Sequence, residues 1–376
     1  MIDQELRDRK TSGKSNSSNE IRMGDWASRA TLDIIGLAGM DHDFQSLQDP
    51  GNELNQKYRS IIREQPLSSK ILFLIGMLTS TSSTLLKVPT QNNREINNAS
   101  AFIRGVARQM VQEKQKKLDA KKGSATADSK DGKEEDVDIV SVALRSGTFT
   151  EENMVDQMMT FLGAGHETTA ASLQWAIYYL ARNQDVQSRL RDEVRTNLPP
   201  TSFSEKASTT SFSSSNISAA AIDSLPYLNA VCNEIFRFRP PVRSTIRISV
   251  RDTMIAGVPI PKDTVIILAP EVINHEKELW GPDADVFNPE RWMGPGRANT
   301  GGAVSNYAML TFLHGPRSCI GQGFTKSELA CLIATVVGRF HIEANDPPSK
   351  APQMDTGITV KPKDGALAKF TPIEGW

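Results

Sequence analysis

The sequence predicts a mainly α-helical fold with a small β portion, and three observations carry this. Helical spacing of apolar residues dominates the first two thirds of the 376-residue chain. Short β-rich pieces are confined to the region after residue 244. A strong apolar run, "GFTKSELACLIATVVGRF", then returns to helical spacing. Hydrophobic residues make up 39% of the chain, enough for one large domain or two ordinary ones.

The elements follow in order. "DWASRATLDIIGLAGM" (25 to 40) spaces its apolar residues three and four apart, as a helix does. "ILFLIGML" (71 to 78) is too short to span a bilayer, so it reads as core or as a segment dipping into a membrane surface. Residues 96 to 122 begin as an amphipathic helix and become strongly basic, running into a surface loop at 123–136. The longest helix covers about Thr150 to Arg182, with Thr150 as cap and Glu151 and Glu152 in its positive first turn. The serine- and threonine-rich stretch 201–218 reads as a second surface loop. "SLPYLNAVCNEIFRFRPP" (224 to 241) is a helix stopped by two prolines. "STIRISV", "MIAGVPI" and "TVIILAP" are short strands.

Several function classes lose support. A net charge of -1 gives no reason to expect nucleic acid as a partner. The polar N-terminus is neither a signal peptide nor an anchor. Three cysteines at wide spacing form no disulfide scaffold and no zinc pair. "HETTA" at 166 has Ala170 where a zinc protease needs its second histidine, and "HEKEL" at 275 fails likewise at Leu279.

One constellation holds together. In "FLHGPRSCIG", Phe312, Gly315, Arg317, Cys319 and Gly321 frame a single thiol just ahead of a helix. A thiolate needs nearby positive charge, and the helix N-terminus and Arg317 are placed to supply it. The glycines let backbone approach something flat, so a cysteine thiolate bound to haem iron suits the setting. In "AGHETT", Ala164 and Gly165 are small, and Glu167 and Thr168 could relay protons through water. The bland alternative is a threonine turned onto its own helix carbonyl. Glu234 and Arg237 share one helix face. They form either an exposed pair worth little, or a buried network with Arg291 of "FNPERW".

These four segments, in their order along the chain (AGHETT, EIFR, FNPERW, then the cysteine loop), resemble the cytochrome P450 family of haem-thiolate monooxygenases, most closely its fungal members. The resemblance covers about residues 25 to 373 and implies one P450 domain over 1–376, without the family's N-terminal part. It implies heme b (iron protoporphyrin IX) bound through Cys319, with Arg247 and Arg317 on the propionates. Glu234, Arg237 and Arg291 would be structural. The implied reaction inserts one oxygen atom from O2 into a hydrophobic small molecule, with a fungal secondary metabolite as a fitting substrate. Electrons would come from NADPH–cytochrome P450 reductase, because no flavin or nicotinamide segment is evident. Family members are usually anchored to the endoplasmic reticulum facing the cytosol. Without an anchor, the expectation here is a cytoplasmic or peripheral membrane location. The alternative is a truncated, inactive remnant that binds haem weakly or not at all.

Overall fold

The computed structural model describes residues 1–11, 19–63, 66, 90–124, 138–200, 217–347 and 350–376. The run 71 to 78 lies outside the described residues. So does all of the 201–218 stretch except Ile217 and Ser218, and all of 123–136 except its first two residues, which are still helical.

Helix α1 (Ile2–Thr11) and strand β1 (Glu20–Arg22) open the chain. Helix α2 (Met23–Ile34) widens into a π-helical turn at Ile35–Gly39, where the sequence suggests one uninterrupted helix to residue 40. The turn forms because the chain folds back there: the His42 amide donates to Gly36 O at 3.0 Å. A Cβ on Gly36 would meet His42 O at 2.6 Å, so the return requires glycine. Helix α3 (Glu53–Ile62) is capped by Asn52. Helix α4 (Gln91–Ser124) starts earlier than its apolar pattern, and its basic half remains helical. Helix α5 (Ile139–Arg145) follows, capped by Asp138.

Helix α6 (Glu151–Leu180) is the long central helix, and the Thr150 hydroxyl accepts from the Asn153 amide as its cap. Helix α7 (Gln184–Asn197) and helix α8 (Ala219–Asp223) follow, the latter capped by Ser218. Helix α9 (Pro226–Phe238) begins on a proline, which suits the first helical position, and ends before Pro240. Strands β2 (Thr245–Ile248) and β5 (Val265–Leu268) pair antiparallel. Between them β3 (Thr253–Ile255) and β4 (Val258–Ile260) form a hairpin, turned by Ala256 and Gly257 at positive φ. Short helices α10 (Pro270–Ile273) and α11 (Lys277–Trp280) precede α12 (Gln322–Arg339). Strands β6 (Phe340–Ala344), β7 (Met354–Thr356), β8 (Val360–Pro362) and β9 (Leu367–Pro372) complete the chain.

The fold is thus mainly α with small antiparallel sheets, as the sequence predicts. One three-stranded sheet, β1–β9–β6, joins segments more than 300 residues apart and has no local signal in the sequence.

Two compact units make up the chain. One comprises Met1–Gly24, Ala171–Met354 and Thr359–Trp376; the other comprises Asp25–Ala170 and Asp355–Ile358. The core of the first holds Trp175, Phe236 and Phe370 and, unusually for a charged residue, Arg237. The second buries Leu32, Ile103, Met158 and Leu162, together with Lys114. The Lys114 ammonium sits between Asp41 at 2.9 Å and Asp138 at 2.8 Å, which offsets the cost of taking that charge out of water.

Candidate active site

The cysteine loop belongs to the first unit. Its approach is set by Phe312, whose ring meets Phe236 of α9 edge-on at 5.0 Å. The chain then turns through two positive-φ residues, Leu313 at 56° and Gly315 at 77°. Glycine adopts this freely and leucine does not, so the surrounding contacts hold Leu313 in place. The Cys319 amide donates to Phe312 O at 2.8 Å and closes the loop. Gly321 is the N-cap residue of α12, so the positive end of an 18-residue helix begins two residues after the sulfur.

Cys319 is exposed, and its sulfur makes no hydrogen bond among the described residues. Arg317 is exposed and has no ion-pair partner among them. A Cβ on Gly315 would meet nothing within 4 Å, and one on Gly321 would come within 3.9 Å of the Cys319 sulfur. Cys232 differs: it is buried on α9, and burial pushes its thiol up to about 12. Cys331 lies within α12, away from any glycine-framed turn. An accessible thiol, open space beside the glycine and an unpaired guanidinium two residues away together fit a flat, anionic group ligated by Cys319.

Arg247 is half-buried on β2. Its Nη1 donates to Ile246 O at 2.9 Å and to Thr245 Oγ1 at 3.2 Å, so its head is held along its own strand.

The Glu234–Arg237–Arg291 network is buried. Arg237 Nε donates to Glu234 Oε2 at 2.9 Å and Nη2 to Oε1 at 2.8 Å, a bidentate fork. Arg237 Nη1 also reaches Asn274 O and Ala284 O. Arg291 Nε donates to Glu234 Oε1 at 3.2 Å, and its Nη2 pairs with Asp283 Oδ2 at 2.9 Å. The Trp292 indole and the Asn288 amide complete the Glu234 shell, each at 2.9 Å. Of the two readings left open by the sequence, the exposed pair is therefore excluded. Sequence reasoning missed Asn274, Asp283, Asn288 and Trp292. Trp292 had a signal, since it ends "FNPERW"; Asn274 had none.

"AGHETT" lies in the second unit, on an uninterrupted stretch of α6. Ala164 is exposed. Gly165 has a different local reason from open space: a Cβ there would come within 3.1 Å of Ile35, so it makes room for the π-helical turn. Gly163 likewise admits Tyr58, whose hydroxyl donates to Met159 O at 3.2 Å. Glu167 is buried at 2% exposure. The Thr168 hydroxyl donates to Ala164 O at 2.8 Å, the back-bond weighed above as the bland alternative.

Comparison with known proteins identifies the family. The Cytochrome P450 family profile matches residues 2–369. Cytochrome P450 monooxygenase sphH of Aspergillus fumigatus is 54% identical over 97% of this chain and 64% of its own length. Cytochrome P450 monooxygenase FSL4 of Gibberella zeae is 38% identical over 95% of this chain and 62% of its own. Cytochrome P450 monooxygenase FUM15 of Gibberella moniliformis is 39% identical over 88% and 59%. The chain therefore spans a little under two thirds of the length of the curated relatives it matches. A profile match over nearly every residue, an identity of 54% and an accessible thiol on the expected loop together place this chain in the cytochrome P450 family.

Proposed function

We propose that the chain is the haem-binding part of a monooxygenase that inserts one oxygen atom from O2 into a hydrophobic small molecule. The exposed Cys319 thiol carries this reading, on a loop tied to the buried Glu234 network. Bound haem supplies dioxygen activation, which an electron-rich thiolate ligand favours. The chain's own residues do the rest. Cys319 would hold the iron through its sulfur, two residues ahead of the α12 N-terminus. Arg317 is free to take a propionate, and Arg247 would do so by releasing its own strand. Glu167 and Thr168 deliver protons. NADPH–cytochrome P450 reductase is the proposed electron donor. The fungal relatives support a fungal secondary metabolite as substrate. No helix among the described residues is long and apolar enough to cross a membrane, which is compatible with a cytoplasmic or peripheral location.

One observation favours a second reading, a chain that holds haem weakly or not at all. Ile246, Ile248, Val265 and Ile267 on β2 and β5 are 51% to 66% exposed, an apolar face left uncovered. A reduced carbon-monoxide difference spectrum of the purified chain decides between the two. The first reading expects a thiolate-type band that disappears in Cys319→Ala and persists in Cys232→Ala and Cys331→Ala. No band in the wild-type chain favours the second. A thiolate-type band surviving in Cys319→Ala overturns the ligand assignment.

A further inference from the structure

We propose that Asn274 is a positioning residue that couples the buried Glu234–Arg237 pair to the cysteine loop. This deepens the proposed function, because it rests on Cys319 being the iron ligand. Asn274 is 0% exposed and sits at the end of α10. Every polar atom of its side chain is used. Nδ2 donates to Arg237 O at 3.0 Å and to Thr311 Oγ1 at 2.9 Å, while Oδ1 accepts from the Leu310 amide at 2.9 Å. Flipping the amide would set two donors against each other at Leu310, so the network fixes its orientation. Its main-chain carbonyl accepts from Arg237 Nη1 at 2.7 Å.

Thr311 completes the link. Its hydroxyl accepts from Asn274 and donates to Phe236 O at 2.7 Å. Phe312 follows, packed on Phe236, and Phe312 O receives the Cys319 amide at 2.8 Å. The route from Glu234 to Cys319 thus runs Glu234, Arg237, Asn274, Thr311, Phe312, Cys319. Each step is a hydrogen bond or a chain neighbour. Arg237 holds Asn274 by its backbone, and Asn274 holds the loop by its side chain. Removing that side chain leaves the ion pair intact but releases the loop. A neutral amide suits the position because it must donate twice and accept once. Aspartate could only accept there, and it would face the carbonyl of Arg237.

The test uses two readouts. The first is amide hydrogen exchange of the haem-free chain, read at Leu310 and Cys319, for Asn274→Ala, Asn274→Asp and Thr311→Val. Thr311→Val is near-isosteric and removes only the bridging hydroxyl. We expect exchange at both amides to rise about five- to tenfold in Asn274→Ala and Thr311→Val, the effect of roughly one net hydrogen bond. Combining them should add little, because both break one route. Asn274→Asp should keep Leu310 protected and lose protection at Cys319. The second readout is the share of thiolate-type signal in the carbon-monoxide spectrum, which should fall in all three variants. Unchanged Cys319 exchange in Thr311→Val overturns the proposal, whether or not Asn274→Ala folds. Additive effects in the double variant overturn it too. Failure of the haem reading would show instead as a wild-type chain without the band, while the exchange experiment still decides the role of Asn274.

Discussion

Arg237 grips Glu234 through two guanidinium nitrogens at 2.8 and 2.9 Å, and both side chains are completely buried. Three residues apart on α9, they lie on one helix face. Their charges are matched by backbone carbonyls around Arg237 and by Arg291, Trp292 and Asn288 around Glu234. A buried pair of this kind is strongly coupled, since removing one member strands the other's charge away from water.

Glu234→Ala is therefore expected to lower unfolding stability by about 3–5 kcal/mol, against roughly 0–1 for an exposed pair. Glu234→Gln should cost less, because an amide oxygen still accepts from Trp292 or Arg237. Urea midpoints of the two variants and the wild type provide the check. A loss below about 1 kcal/mol would place the pair outside the core.

His275 gives a pH signature. Burial pushes its imidazole down to about 4, with the Arg237 and Arg239 charges adding to the effect. In the unfolded chain the group titrates near ~6.5. Between these values the unfolded state binds more protons, so stability falls as pH drops from about 6.5 to about 4 and is level above that window. His275→Gln should flatten that stretch of the stability–pH curve. A direct NMR titration of the wild-type ring near 6.5 would contradict the assignment.

A Thr168 variant tests the proposed proton-delivery role apart from haem binding. Its hydroxyl donates to Ala164 O within its own helix. Thr168→Ala is expected to leave haem content nearly unchanged. Proton relays typically contribute about 10²–10⁴-fold in rate, and product formed per electron consumed should fall accordingly. The measurement is the ratio of hydroxylated product to reductant in a chain that includes the additional length of its relatives. An unchanged ratio would leave the hydroxyl as a helix back-bond only.

The sequence by itself determined the class of fold, the major helices and the loop around Cys319. Those signals are local: apolar spacing on α6 and α9, prolines that stop α9, and glycines where the chain turns beside the thiol. It also brought Glu234, Arg237 and Arg291 into one hypothesis without deciding whether they were buried. Only the tertiary structure decided that, because burial depends on which elements cover a helix face, and α11 and the "PERW" turn come from some fifty residues further on. Tertiary packing also decided Gly165, whose missing side chain makes room for Ile35. It formed the β1–β9–β6 sheet from strands too short and too far apart to announce themselves. And it gave Asn274 its place between Arg237 and Thr311, since a hydrogen-bonding amide has no spacing of its own to read until its partners converge on it.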